Sequence, residues 1–217
     1  MAFDLDDTLY KEIDFLRSAF RHIASRVSDG NITEDELFRL MLDTYQQGGN
    51  AFEVVLGELH CQKYSLQWML DEYRYHNPRI ALDDDTKKTL EELKSRGVHI
   101  GIISDGRSRQ QMNKIGALGL KGYADESDIV INADKEREKP DQRSFSYFMD
   151  KYGKDVEYMY VGDNPSKDFI APNQLGWTTV CLLDNGQNIH GQDLSLQMPF
   201  LPQYRVKKLS EILGIVL

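Results

Sequence analysis

Asp4 and Asp6 stand two residues apart near the start of the chain, with Asp7 and Thr8 directly after them. In extended backbone, residues i and i+2 point to the same side. Both carboxylates can therefore face one substrate atom. One can attack phosphorus as a nucleophile and form an aspartyl-phosphate. The other can protonate the leaving oxygen, then take the proton from the water that hydrolyses the intermediate. Polar groups recur further along as Ser104-Asp105-Gly106, as Lys139-Pro140-Asp141, and as Gly162-Asp163-Asn164 with Asp168 beyond. Ser104 and Lys139 can hold the negative charge that spreads over the equatorial oxygens of a transferring phosphoryl group. Acidic side chains brought together repel one another unless a cation offsets them. Oxygen ligands of this kind suit Mg²⁺, which keeps waters and shares its coordination sphere with a substrate phosphate.

These residues need a scaffold, and the hydrophobic pattern supplies one. Residues 1–10 read as a short strand running into a polar turn. Apolar strands are expected at 98–103, 128–131, 158–161 and 179–183, alternating with helices that open at Asp83, run on to about Leu118, span 141–152 and lead to Gly176. A last helix is expected from about Lys208, after a polar tail over 184–207. Strands alternating with helices indicate parallel pairing, and strands apolar on nearly every residue indicate burial on both faces. Each candidate polar group then falls at a carboxyl end of a strand, where open α/β sheets bind ligands. Lys139-Pro140-Asp141 is placed at a helix start, which favours a phosphate.

The stretch 11–78 is helical throughout. Leu16, Ala19, Phe20, Ile23 and Val27 form an amphipathic stripe. Asp29-Gly30-Asn31 breaks it, Thr33 and Glu36 make a capping-box signature, and shorter helical pieces follow at 51–60 and 65–76. The fold class expected is α/β, a Rossmann-like parallel sheet core flanked by helices, formed by residues 1–10 and 79–217. An all-helical cap, residues 11–78, is inserted after the first strand. Only three residues precede Asp4, whereas a mean strand has roughly 5–6, so the first strand is expected to be short, or to start upstream of Met1.

The chain has 217 residues, with 26 Lys and Arg against 35 Asp and Glu, a net charge of −9. That balance disfavours a nucleic-acid partner, which needs a basic face. No run of apolar residues is long enough for a membrane span, and the N-terminus lacks the pattern of a secretory signal. Two cysteines, Cys61 and Cys181, cannot make a disulfide framework. A cytoplasmic protein acting on a small phosphate ester is expected.

Taken in order, Asp4-Leu5-Asp6-Asp7-Thr8-Leu9, Ser104-Asp105-Gly106, Lys139-Pro140-Asp141 and Gly162-Asp163 through Asp168 resemble the four motifs of the haloacid dehalogenase-like superfamily of hydrolases. The helical insert is similar to the C1-type cap of its first subfamily, which includes phosphoglycolate phosphatases and β-phosphoglucomutases. The resemblance implies that Asp4 is the nucleophile and a Mg²⁺ ligand. It makes Asp6 the general acid and base, ligating the metal through its backbone carbonyl, and Asp163 the remaining protein ligand. Asp168 would orient Lys139 or a metal-bound water, while Ser104 and the Gly106 backbone would bind phosphate. Thr8 and Asp105 join Gly106 as substrate-binding candidates. Members that cleave carbon–halogen bonds lack an Asp at the place of Asp6, so Asp6 favours phosphoester chemistry. A phosphomutase on the same scaffold and a receiver-like signalling domain phosphorylated on Asp are the alternatives.

Blander readings apply to other features. As a calcium loop the first turn fails, with Leu9 where Gly is needed and Phe15 where Glu is needed. Asp83-Asp84-Asp85 reads as a helix cap with an acidic first turn. Gly116, Gly119 and Gly122 read as cap and turn glycines. Tyr64, Trp68, Met69, Tyr73 and Tyr75 read mainly as core, with room for one or two to face a substrate, and Arg107 and Arg109 read either as surface or as substrate contacts. His60-Cys61 and His76 lack the spacing of a zinc site.

Overall fold

The computed structural model describes residues 1–29, 31–59, 63–153 and 155–215. Gly30, His60 and Cys61 lie outside the described residues. The chain divides into two compact units, Met1–Glu12 with Ala81–Leu217 and Ile13–Ile80. Both junctions fall slightly later than the expected 10/11 and 78/79.

The first unit is built on a six-stranded parallel sheet. Its strands are β1 (Ala2–Phe3), β2 (Gly101–Asp105), β3 (Ile129–Asn132), β4 (Met159–Gly162), β5 (Thr178–Leu182) and β6 (Tyr204–Val206). Their order is β3-β2-β1-β4-β5-β6. The winding reverses between β1 and β4, and a crevice opens beyond the carboxyl ends at such a reversal. Asp4 follows β1 and Asp163 follows β4, so the crevice lies between two of the expected carboxylates.

Two expectations are corrected here. The strand expected at 98–103 runs over Gly101–Asp105, because the ladder begins where Ala2 pairs with Gly101. Ser104 and Asp105 are consequently its last residues and not the loop behind it. β6 lies in the polar tail, where no strand is expected; it is a three-residue edge strand with two exposed residues, too short to leave a period.

The second unit consists of α1 (Glu12–Val27, whose first residue belongs to the sheet unit), α2 (Glu34–Gln46), α3 (Ala51–Glu58) and α4 (Leu66–Tyr75). The stripe expected on α1 is buried, Leu16, Ala19, Phe20, Ile23 and Val27 all facing inward with Phe15 and Ala24. Thr33 and Glu36 cap α2 reciprocally: Glu36 N–H donates to Thr33 Oγ1 at 3.3 Å and Thr33 N–H to Glu36 Oε2 at 2.9 Å. Of the aromatic-rich segment, Met69 is fully buried and Tyr73 meets Phe15 edge-on at 5.5 Å. His76 is buried between Ser18 Oγ, 3.0 Å from its Nε2, and the Tyr73 carbonyl, 3.0 Å from its Nδ1.

Helices α5 (Asp84–Ser95), α6 (Ser108–Ala117), α7 (Arg143–Tyr152) and α8 (Ile170–Gln174) flank the sheet. Asp83 caps α5, accepting from Thr86 N–H at 2.7 Å. Gly119 takes a left-handed φ of 67° just past α6, and Gly116 sits within the helix. α7 starts at Arg143, later than expected, so Lys139 precedes the helix by a full turn and is not at its N-terminus. α8 is only five residues long, and the end of the chain winds as a 3₁₀ helix, Leu209–Gly214. On one face of the sheet Phe145 of α7 stands edge-on to Tyr160 at 5.0 Å and to Trp177 at 5.4 Å. Phe148, Phe169 and Ala171 complete that layer against Ala2, Ile103 and Cys181. Among the described residues, no helix is long and apolar enough to cross a membrane.

Candidate active site

The first turn is tied down from both sides. Asp4 N–H donates to Val161 O at 2.8 Å, which carries the β1–β4 ladder one residue past the strand. Asp7 has a φ of 55°, a left-handed conformation that Asp tolerates better than most residues. Its carboxylate accepts from Glu12 N–H at 2.9 Å and from Ile189 N–H at 3.0 Å.

Behind the turn lies Lys139. Its ammonium, fully buried, is 2.7 Å from Asp4 Oδ1, 2.8 Å from Asp168 Oδ1 and 2.9 Å from the Tyr160 hydroxyl. Burial opposes that charge, but Asp168 and Asp4 outweigh it and hold the lysine well above its ordinary range. Asp168 Oδ2 turns the other way and accepts from Asp163 N–H at 3.1 Å and Asn164 N–H at 2.8 Å. Only glycine fits at 162, because a Cβ there would come within 2.6 Å of Asp168 Oδ2.

Asp4, Asp163 and Asp168 each offer a carboxylate oxygen within 4.8 Å of the others. Two of these carboxylates, Asp4 and Asp168, touch the Lys139 ammonium, and Asp163 adds a third to the cluster. Burial first, then Asp168 and Asp4, push the Asp163 carboxyl up to about 9. Burial raises Asp4 to about 6 against the pull of Lys139. Such a set lacks positive charge, and its hard oxygen donors suit a divalent ion such as Mg²⁺. Asp4 and Asp163 face the open cleft and could hold one; Asp168 is already engaged by Lys139 and two N–H groups.

Asp6 has a different environment. Its Oδ1 accepts from Lys114 Nζ at 2.7 Å and from the Tyr10 hydroxyl at 2.5 Å, and its Oδ2 from Gln111 Nε2 at 2.8 Å. Burial would raise it, but Lys114 and the hydrogen bonds bring it below the ordinary carboxylate range.

A cleft of about 160 Å³ opens onto these groups. Asp4, Asp6, Ser104, Asp105 and Asp163 line it, and so do Lys167 and His190, which sequence reasoning passed over. Thr8 and Gly106 are not on its wall. Thr8 is buried, and among the described residues its Oγ1 has no hydrogen-bond partner. Asp105 reaches the cleft, but its carboxylate accepts from Asn132 Nδ2 at 2.9 Å and Lys139 N–H at 3.1 Å, with Lys167 Nζ at 3.3 Å. Lys139 and Asp168 stand behind the wall, Lys139 against Asp4 and Asp168 against the 163–164 backbone. Arg107 and Arg109 are exposed.

Other contributors were also passed over. Asn188 Nδ2 donates to Asp163 Oδ2 at 2.9 Å, and Gln192 Nε2 to the Asp163 carbonyl at 2.7 Å. Both come from the polar tail, which carries no periodic signal. Gln111 and Lys114 had a legible signal. They occupy buried positions of α6 next to Ile115, where an amphipathic helix places apolar side chains.

Residues 1–182 match the model of the haloacid dehalogenase-like hydrolases. The glyceraldehyde 3-phosphate phosphatase of Methanocaldococcus jannaschii is 30% identical, over 100% of this chain and 96% of its own. Pyrophosphatase PpaX of Bacillus velezensis is 25% identical over 99% of this chain and 94% of its own. The fold is shared with the magnesium-bound HAD hydrolase YfnB of Bacillus subtilis, at a TM-score of 0.65 and 18% identity, covering 99% of this chain and 96% of that one. With acidic turns at the ends of β1 and β4, a buried lysine joining them and a family match over most of its length, the chain belongs to the haloacid dehalogenase-like hydrolases.

Proposed function

We propose that the protein is a Mg²⁺-dependent phosphatase that hydrolyses a small phosphomonoester, such as a sugar phosphate or nucleotide, through an aspartyl-phosphate on Asp4. The observation that carries this reading is the placement of Asp4. It is held by Lys139 at 2.7 Å, shares an oxygen cluster with Asp163 and borders the same cleft as Asp6 and Ser104. The relatives named as glyceraldehyde 3-phosphate phosphatase and as pyrophosphatase support phosphate chemistry over carbon–halogen cleavage.

Asp4 attacks phosphorus; an Asp4 O–P bond forms as the bond from phosphorus to the leaving oxygen breaks. Asp6, which Lys114 holds ionised in the free enzyme, takes a proton from the phosphomonoester monoanion and passes it to the leaving oxygen. Asp6 then accepts a proton from the incoming water, which attacks the same phosphorus and frees the Asp4 carboxylate. Acid–base help of this kind contributes about 10²- to 10⁴-fold. Lys139 orients Asp4 through Oδ1, and Ser104 offers a hydroxyl to the phosphoryl oxygens. Lys167 adds positive charge at the cleft wall. Mg²⁺ held by Asp4 and Asp163, with the Asp6 carbonyl as a further ligand, would neutralise charge on the phosphoryl group. The helical unit Ile13–Ile80 is read as the inserted cap.

A screen of phosphorylated metabolites with Mg²⁺ or with EDTA, run on the wild type and on Asp4→Asn, tests the reading. Metal-dependent release of phosphate that vanishes in Asp4→Asn is expected. Equal rates in the variant would refute Asp4 as nucleophile.

A further inference from the structure

Lys114 is 1% exposed, on the buried face of α6. A methylene chain ending in a methyl or thioether would pack there without the desolvation cost of an ammonium. What the charge meets is Asp6 Oδ1 at 2.7 Å, with Glu12 Oε1 at 3.5 Å. The Tyr10 hydroxyl donates to the same Asp6 oxygen, and Gln111 Nε2 to the other one at 2.8 Å. That Gln111 nitrogen also lies 2.6 Å from Ser104 Oγ. Donors from the first turn and from α6 thus address both oxygens of one carboxylate and fix its plane. They also fix its distance from the hydroxyl assigned to the phosphate.

We infer that Lys114 is a positioning residue: with Gln111 and Tyr10 it holds the Asp6 carboxylate in the place and plane from which a proton passes to the leaving oxygen. The inference rests on the proposed acid–base role of Asp6 and adds the residues that make that role effective. The proton lost from Asp6 goes to the leaving oxygen as the P–O bond breaks, and the attacking water replaces it.

The test compares kcat/KM for p-nitrophenyl phosphate and phenyl phosphate with Mg²⁺ present. kcat/KM reports the steps through phosphoryl transfer to Asp4, and only the second leaving group depends strongly on a proton. Lys114→Met is expected to lower kcat/KM for phenyl phosphate about tenfold or more, with a much smaller fall for the nitrophenyl ester. Tyr10→Phe and Gln111→Leu, which leave no buried charge without a donor of its own, are expected to discriminate in the same direction. They decide the matter if Lys114→Met does not fold. Equal falls on both esters would show a merely structural role and overturn the inference, as would no fall on either. Asp6→Asn is run beside them. If it discriminates while the other variants do not, positioning alone is refuted; if it does not discriminate, the acid–base reading of Asp6 fails and the inference falls with it.

Discussion

Asp168 occupies the space that a side chain on residue 162 would need: a Cβ at Gly162 would lie 2.6 Å from Asp168 Oδ2. That closeness lets one Asp168 oxygen hold the backbone of Asp163 and Asn164 while the other meets Lys139 at 2.8 Å. The glycine of the fourth motif is thus a packing requirement of the carboxylate six residues on.

Gly162→Ala should therefore displace Asp168, loosening both the Asp163 turn and Lys139. A stability loss of about 1–3 kcal/mol is expected, the usual cost of overpacking, together with a fall in kcat of tenfold or more. Thermal denaturation and steady-state kinetics read the two effects. An alanine variant with unchanged kcat would show that the Asp168 position is not critical.

On the proposed reading, in which Asp163 holds Mg²⁺, its carboxyl sets a pH dependence for metal binding. Without a metal it is raised to about 9, chiefly by burial and then by Asp168 and Asp4. A ligand carboxyl must be deprotonated, so Mg²⁺ binding releases a proton and tightens as pH rises towards about 9. The folded-state value exceeds the unfolded one, so in metal-free protein this group's contribution to stability is full below about pH 4. It is lost as pH rises towards 9. Calorimetry in buffers of different ionisation enthalpy should show the proton release. Melting temperatures with EDTA should fall over that interval and recover with Mg²⁺. Mg²⁺ affinity independent of pH between 6 and 9 would contradict this coupling.

Acid should weaken the helical unit through His76. Burial lowers this imidazole from 6.5 to about 4. Its neutral form fits the pair of hydrogen bonds in which Nδ1–H donates to the Tyr73 carbonyl and Nε2 accepts from Ser18. The unfolded chain binds the proton first as pH falls, so stability is retained above about 6.5 and lost on the way down to about 4. The loss is at most about 3 kcal/mol. Hydrogen exchange of α1 and α4 amides at pH 7 and pH 5 should show the change, and His76→Gln should flatten it. A wild-type profile as flat as the variant's would refute this role.

Much of the site was legible because it lies in short polar turns after apolar strands. Asp4, Lys139, Asp163 and Asp168 are far apart in sequence, but the expected parallel topology brings their turns to one edge of the sheet, where the structure shows them in contact. The boundaries shifted where pairing decides them: β2 starts opposite Ala2, not at the first apolar residue. Lys114 was easily passed over because a lysine near a helix end reads as solvated. Only the face it shares with Gln111 and Ile115 marks it as buried. Asn188 and Gln192 were hidden for another reason: the 184–192 stretch that carries them is held by side-chain hydrogen bonds, which leave no hydrophobic period.

The formation of a covalent phosphoryl bond to Asp4 is most directly tested by acid-quenching the wild-type protein during turnover of p-nitrophenyl phosphate with Mg²⁺ and mapping its peptides by mass spectrometry. The phosphoryl group should be found on Asp4, and Asp4→Asn should carry none and turn over no substrate. A label on any other residue, or full turnover by Asp4→Asn, would contradict the mechanism.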